Sequence, residues 1–163
     1  VTLDEAGIKV LMRSGDYVFL DRDKDGADKP QIYKETFSCD TYITSANALT
    51  ENGEIYNVDA NGNRVSAITF GPKRVIFIVG YNKIVKNLEE AVERVRNIAS
   101  PKNALRIDRK TPCAATGKCI ASGNKDMAAG CSSRDRMCRH YVITGKQISD
   151  RITVVLVKEE LGY

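Results

Sequence analysis

Cys113, Cys119, Cys131 and Cys138 are the residues of this chain best suited to chemistry, and they follow one another as C-x5-C-x11-C-x6-C. Four thiolates in a weakly patterned, glycine-containing segment are a donor set for Zn²⁺ or for an iron–sulfur cluster. The C-x2-C knuckle that marks most such sites is missing. The spacing therefore leaves a cluster, zinc, disulfides and unpaired thiols open, with disulfides disfavoured in a reducing compartment. Residues 101–140 also hold nine Lys/Arg against three Asp, a net +6 in a chain whose total is +4, so the remainder sums to −2. Positive charge around thiols favours thiolates. A segment of about forty residues without a core of its own needs a staple to hold it. His140, the only histidine, lies two residues past Cys138. It reads as a further ligand, a proton carrier or a plain surface residue. Cys39 stands alone on an expected helix and reads as a small buried hydrophobe.

A second set of residues lies in polar loops near the ends of apolar strands: Asn47, Glu51, Asn57, Asp59, Gly62, Asn63, Arg64, Gly71 and Lys83. Open α/β sheets bind ligands outside the carboxyl ends of their strands. Gly-Asn turns expose backbone N–H groups, and Arg64 with Lys83 would meet an anion at a helix start. The expectation is one cleft at the end of the 74–79 strand, gathering Asn47, Glu51, Asn63, Arg64 and Lys83. The competing reading is that these are turn residues chosen for backbone geometry. Neither a Walker A pattern nor G-x-G-x-x-G occurs, and with one histidine leaving few options no Ser/His/Asp or Cys/His set is apparent.

The elements that must position these residues follow from periodicity. Thr2 and Glu5 form a capping box for a helix whose face is Leu3, Ala6, Gly7, Val10 and Leu11, with Gly15 as the stop. Residues 16–20 read as a short buried strand, and 21–29 as a charged loop. Pro30 opens a helix to about Cys39, and 40–45 has strand composition. Glu51-Asn52-Gly53-Glu54 is a hairpin turn before a strand at 55–59. A short helix runs from Arg64 to Gly71-Pro72, and Arg74 to Val79 is a fully buried strand. Asn87 caps a helix with the stripe Leu88, Ala91, Val92, Val95 and Ile98, which Pro101 ends. Ile152 to Val157 is a last buried strand. Helices alternating with apolar strands predict an α/β fold with a mostly parallel sheet covered by helices on both faces. Because no strand precedes the first helix, the sheet is expected to lack an N-terminal part, with an open edge beside Tyr17–Leu20 and some cover from a second copy.

At 163 residues, 42% hydrophobic and 28% charged, the chain has ordinary globular composition and length for one core. No apolar run reaches bilayer length, and Val1–Glu5 is acidic and unlike a signal peptide. A cytoplasmic location is expected. Nucleic acid is disfavoured as a partner because no aromatics interleave with the basic residues of 101–140.

Taken together, several stretches resemble the LUD-domain family, the lactate-utilisation proteins. They are Val1–Glu5, Arg13–Tyr17, Leu20–Arg22, the long block Thr44–Val85 with Asn57–Val65 at its centre, Asn97–Pro101, Lys110–Cys113 with Thr116–Cys119, and Glu160–Tyr163. The resemblance implies a fold similar to the NagB/RpiA/CoA-transferase group, with a Gly-Gly-Ser turn expected before Val1. It looks like the branch with a C-terminal four-cysteine segment. That branch has its second and third cysteines close together, whereas here Ile120 to Gly130 separate them. The implied organisation is a LUD-type α/β domain over 1–100 and 141–163, with a basic four-cysteine module inserted at 101–140. The implied function is a component of an L-lactate or other 2-hydroxy-acid oxidation system. Its expected partners are other lactate-utilisation proteins, a small anionic ligand at Asn47, Glu51, Gly62, Asn63, Arg64, Gly71 and Lys83, and a second copy of the chain. Its expected cofactor is an iron–sulfur cluster or zinc at the four cysteines. The alternative is a ligand-binding or regulatory module with a structural zinc and no redox role.

Overall fold

The computed structural model describes residues 1–147 and 149–163. The chain is α/β. Its elements are α1 (Thr2–Glu5), α2 (Ile8–Ser14), α3 (Lys29–Glu35), β1 (Thr41–Thr44), β2 (Ala48–Thr50), β3 (Ile55–Asp59), α4 (Asn63–Thr69), β4 (Arg74–Gly80), β5 (Ile84–Val85), α5 (Leu88–Arg94), α6 (Ser100–Arg106), α7 (Pro112–Thr116), β6 (His140–Thr144) and β7 (Ile152–Val157). They fall into two compact units. The first comprises Val1–Ser45, Ser66–Tyr81 and Gln147–Gly162; the second comprises Ala46–Val65 and Asn82–Lys146, with Tyr163.

The first unit carries a parallel sheet in the order β1-β4-β7. β4 is the middle strand, with Thr41 opposite Arg74 on one side and Ile152 opposite Val75 on the other. A central parallel strand is buried on both faces, which accounts for its unbroken run Val75 to Val79. Val75, Phe77 and Val79 have no exposed surface. Arg151 ties α4 to this sheet by donating to the carbonyls of Ala67, Ile68 and Pro72.

Several expectations for this unit need correction. Thr2 is not the cap but the first helical residue, buried, with its hydroxyl donating to the Leu161 carbonyl at 3.4 Å. The first helix is two, because Gly7 turns left-handed at φ 70° between α1 and α2. That change of phase leaves Val10 and Leu11 exposed instead of facing a core. Residues 16–20 form no strand, and Val18 is 98% exposed. The local bonds Tyr17 N–H to Gly15 and Asp21 N–H to Phe19 curl the segment, so no partner strand receives it. Residues 16–20 thus add no strand to the sheet, whose edge strands are β1 and β7. β7 itself is not buried, since Val154, Val155 and Leu156 are all exposed. An edge strand of apolar β-branched residues has the same composition as a central one, and only its place in the sheet distinguishes them.

The second unit holds a mixed sheet, β5-β2-β3-β6. β2 and β3 form the hairpin predicted at Glu51–Glu54, and β6 adds antiparallel to β3 with Asp59 opposite His140. Ala48, Tyr56, Ala91, Val92 and Val95 make its core, with Met127 and Tyr141 packed on it. Asn87 caps α5 by accepting the Glu90 N–H at 3.0 Å, as its position implied. Pro101 does not end that helix. Val95–Ala99 widens into a π-helical turn, and α6 then continues with Pro101 in its first turn, where a missing N–H breaks no intrahelical bond. Residues 101–140 lie within this unit and include α7, which lacks the length to show a periodicity.

Candidate metal centre

The four-cysteine segment is built outward from the helix Leu88–Arg106. Thr111 caps α7, its hydroxyl oxygen accepting the Ala114 N–H at 3.3 Å, and Pro112 takes the first helical position with its φ already set. Gly117 closes the helix at φ 75°, where a side chain would be strained. Cys113 thus sits in the first turn and Cys119 just past the last. The Cys119 N–H donates to the Arg96 carbonyl at 3.1 Å, which fixes the start of the long spacer to the π turn.

The eleven spacer residues are then tied back to the same helix by an opposed pair of charges. Arg96 donates to the carbonyls of Asn124 (2.6 Å) and Asp126 (2.5 Å). Glu93 accepts from the Gly123 N–H and the Ser122 hydroxyl, both at 2.9 Å, and from Arg96 and Asn97. Burial alone would raise the Glu93 carboxyl, but the Gly123 N–H, the Ser122 hydroxyl, Arg96 and Asn97 outweigh it and hold it down at about 2.

Arg136 performs the matching task for the last two cysteines. Its guanidinium donates to the carbonyls of Cys138 (2.8 Å), Cys131 (3.2 Å) and Ala128 (2.7 Å) and to the Tyr141 oxygen (2.7 Å). The Tyr141 hydroxyl in turn donates to the Cys138 carbonyl at 2.8 Å. Gly130 is required by this arrangement: a Cβ there would stand 2.6 Å from the Arg136 guanidinium carbon.

Cys113, Cys119, Cys131 and Cys138 all line one cavity, together with apolar side chains that include Val92, Val95, Ile120, Met127 and Met137. All four are half-buried and, like Cys39, free of disulfide bonds. Burial pushes the Cys138 thiol up, and Cys113 and Cys119 push it further, while Ser100 and Arg136 oppose the rise. Three hydrogen bonds reach the sulfurs: Ser100 Oγ lies 3.0 Å from Cys138 Sγ and Thr111 Oγ1 3.2 Å from Cys113 Sγ, with either group able to donate, and the Ala121 N–H donates to Cys119 Sγ at 3.4 Å. Among the described residues, no three His, Cys, Asp or Glu side chains form a group that could hold a single metal ion as they stand. The cavity that the four cysteines line is small, about 30 Å³, room for about two water molecules. The donor set is soft and all-sulfur, the chemistry that an iron–sulfur cluster or zinc requires.

The polar-loop residues are arranged differently. The Arg64 guanidinium donates to Asp59 Oδ1 (3.2 Å), Asn57 Oδ1 (2.6 Å), Asn47 Oδ1 (2.8 Å) and the Val58 carbonyl (3.0 Å). Asp59 Oδ2 accepts the N–H groups of Arg64 and Val65 and so fastens the start of α4 to the end of β3. Asn47 also accepts the Val58 N–H at 2.8 Å, and its carbonyl accepts from Arg94 at 2.6 Å. Asn47, Asn57, Asp59 and Arg64 are therefore brought together, but as a clasp between β2, β3 and α4. Asn63 opens α4 beside it, and Gly62, at φ 78°, lies under the His140 ring. Glu51 is exposed on the hairpin turn, and Lys83 is buried at the end of a 3-10 turn. Gly71 belongs to the first unit, where Phe37 leaves no room for a Cβ. His140 is exposed on β6 and does not line the cysteine cavity.

Sequence reasoning missed Glu93, Arg96, Ser100, Thr111, Arg136 and Tyr141. Arg96 and Ser100 follow Val92 at helical spacing, and that phase relation to the apolar stripe was the one available signal. Arg136 offered none, since its acceptors are backbone carbonyls. No helix among the described residues is long and apolar enough to cross a membrane. Neither the curated proteins nor the solved structures contain a match to the chain. A family model described as the LUD domain matches residues 1–157, nearly the whole length, and the chain accordingly belongs to the LUD-domain family.

Proposed function

We propose that this protein is a component of an L-lactate or related 2-hydroxy-acid oxidation system and that Cys113, Cys119, Cys131 and Cys138 hold an iron–sulfur cluster in it. Membership of the LUD-domain family supports the first half. The single observation that carries the second is one cavity lined by all four thiols, amid apolar side chains. When bound, such a cluster supplies one-electron transfer. The chain's own residues do the rest. Arg96 and Arg136 hold the loops that carry the cysteines, and Arg136 sets its guanidinium charge beside Cys131 and Cys138, against the negative charge of the thiolates. Val92, Val95, Met127 and Met137 keep the cavity apolar. Unpaired thiols suit a reducing compartment, and a cytoplasmic location is part of the proposal.

The test is purification without oxygen or chelators, followed by iron, sulfide and zinc analysis and a visible spectrum. Brown protein with matched iron and sulfide is the expected result. Colourless protein with one zinc per chain would favour the structural-zinc alternative, and protein with none of the three would overturn both.

A further inference from the structure

Behind the cysteines stands a second layer of groups that the cluster reading does not itself require. Ser100 follows the π turn on the helix face already formed by Val92, Val95 and Arg96, and its oxygen lies 3.0 Å from the Cys138 sulfur. Thr111 is 3.2 Å from the Cys113 sulfur. Its oxygen already accepts the Ala114 N–H, so its one proton is free for the sulfur. A metal-bound cysteine carries no proton. At a loaded site both hydroxyls must therefore be the donors and both sulfurs the acceptors.

We infer that Ser100 and Thr111 are positioning residues that set the reduction potential of the bound cluster by hydrogen bonds to two of its ligand sulfurs. The inference rests on the cluster reading above. A donated O–H stabilises negative charge on sulfur. The reduced cluster carries one electron more than the oxidised one, so the bond favours reduction and raises the potential. The two contacts differ in kind. Ser100 comes from the helix and meets a cysteine 38 residues away in sequence, whereas Thr111 is two residues from its own. Ser100 is also free of a capping duty, which makes it the cleaner test.

The experiment uses the full chain purified without oxygen, titrated with dithionite and followed by its visible and electron paramagnetic resonance spectra. Ser100→Ala is expected to favour the oxidised state about tenfold, a fall in midpoint potential of about 59 mV for a one-electron couple, at unchanged iron and sulfide content. Ser100→Thr keeps the hydroxyl and is expected to keep the wild-type potential. Thr111→Val is expected to lower it as well, and Thr111→Ser to restore it. An unchanged potential in Ser100→Ala at full occupancy overturns the inference and leaves the cluster reading intact. Failure of Ser100→Ala to assemble a cluster that the wild type holds also overturns it, because Ser100 then builds the site instead of tuning it. Wild-type protein without iron and sulfide overturns the inference together with the reading beneath it.

Discussion

The Arg64 clasp and the cysteine cavity lie in the same unit and are both rich in groups that do chemistry elsewhere, yet they use them in opposite ways. In the clasp, four of the guanidinium's N–H donors end on acceptors supplied by β3 and by Asn47 just before β2. In the cavity, the cations are also spent on backbone carbonyls, but the four sulfurs face a common space. Residue type does not separate the two regions; what separates them is where the lone pairs and protons point. Within the clasp one atom departs from this rule: the Asn57 amide nitrogen is buried without a hydrogen-bond partner.

The contrast breaks most visibly at a cysteine. Cys119→Ser should abolish cofactor retention and sharply increase proteolysis between Lys102 and Arg139, because metal binding and ordering of a coreless segment are coupled. The fold outside that segment should survive, as judged by mass spectrometry of the resistant fragment. Survival of full cofactor content would show that the four thiols do not act as a set.

On the other side, Arg64→Ala should leave cofactor content unchanged and destabilise the protein by roughly 3 kcal/mol, since it strands Asp59, Asn57 and Asn47 without their partner. Urea denaturation measures this. A loss under about 0.5 kcal/mol, coupled to loss of protection by added anions such as lactate or phosphate, would support the anion-binding expectation and erase the contrast.

Arg136 tests whether a cation in the cavity wall is structural or electrostatic. Arg136→Lys keeps the charge but loses the fork to Cys131 and Cys138. It should cost roughly 2 kcal/mol by leaving these carbonyls and the Tyr141 hydroxyl short of a donor. Gly130→Ala should reproduce the loss by displacing the same guanidinium. Thermal unfolding with either variant at wild-type midpoint would contradict this account.

The smallest expected effect is a pH effect on the spacer. The Glu93 carboxyl is held at about 2, below its ordinary value near 4.5. Its contribution is therefore complete above that ordinary value and is lost as pH falls from about 4.5 toward 2. With the side chain a third exposed, solvent screening reduces this to roughly 1 kcal/mol. Amide exchange at residues 120–126 should accelerate over that window, and Glu93→Gln should show the faster exchange already at neutral pH. Exchange that does not respond to acid above pH 2 would remove Glu93 from the tether.

Much of the fold is legible without coordinates. The unbroken apolar run at 75–79, the Asn-Gly hairpin at 51–54 and the Asn87 cap are local signals with local causes, and each element stands where those signals put it. The failures share a cause as well. Residues 16–20 and 152–157 both have strand composition, but partners decide the outcome: the first has none and forms no strand, and the second forms β7 yet stays exposed because it is paired on a single side. Pro101 is a helix breaker only where its N–H is needed, and the π turn before it removes the need. The cysteines could be singled out by type and spacing, while Arg96, Ser100 and Arg136 could not, because their partners are backbone carbonyls or a sulfur 38 residues away.

By itself, then, the sequence determined which residues can bond a soft metal, which runs favour an extended or helical backbone, and where the chain must turn. Those properties reside in side-chain chemistry, hydrophobic periodicity and backbone preference, all of which act over a few residues. Tertiary structure alone decided that four cysteines spread over C-x5-C-x11-C-x6-C line one cavity, and that Arg64 turns inward to clasp two strands and a helix. Those outcomes depend on which donors and acceptors the fold brings within about 3 Å of each other, and that is a property of the packed chain.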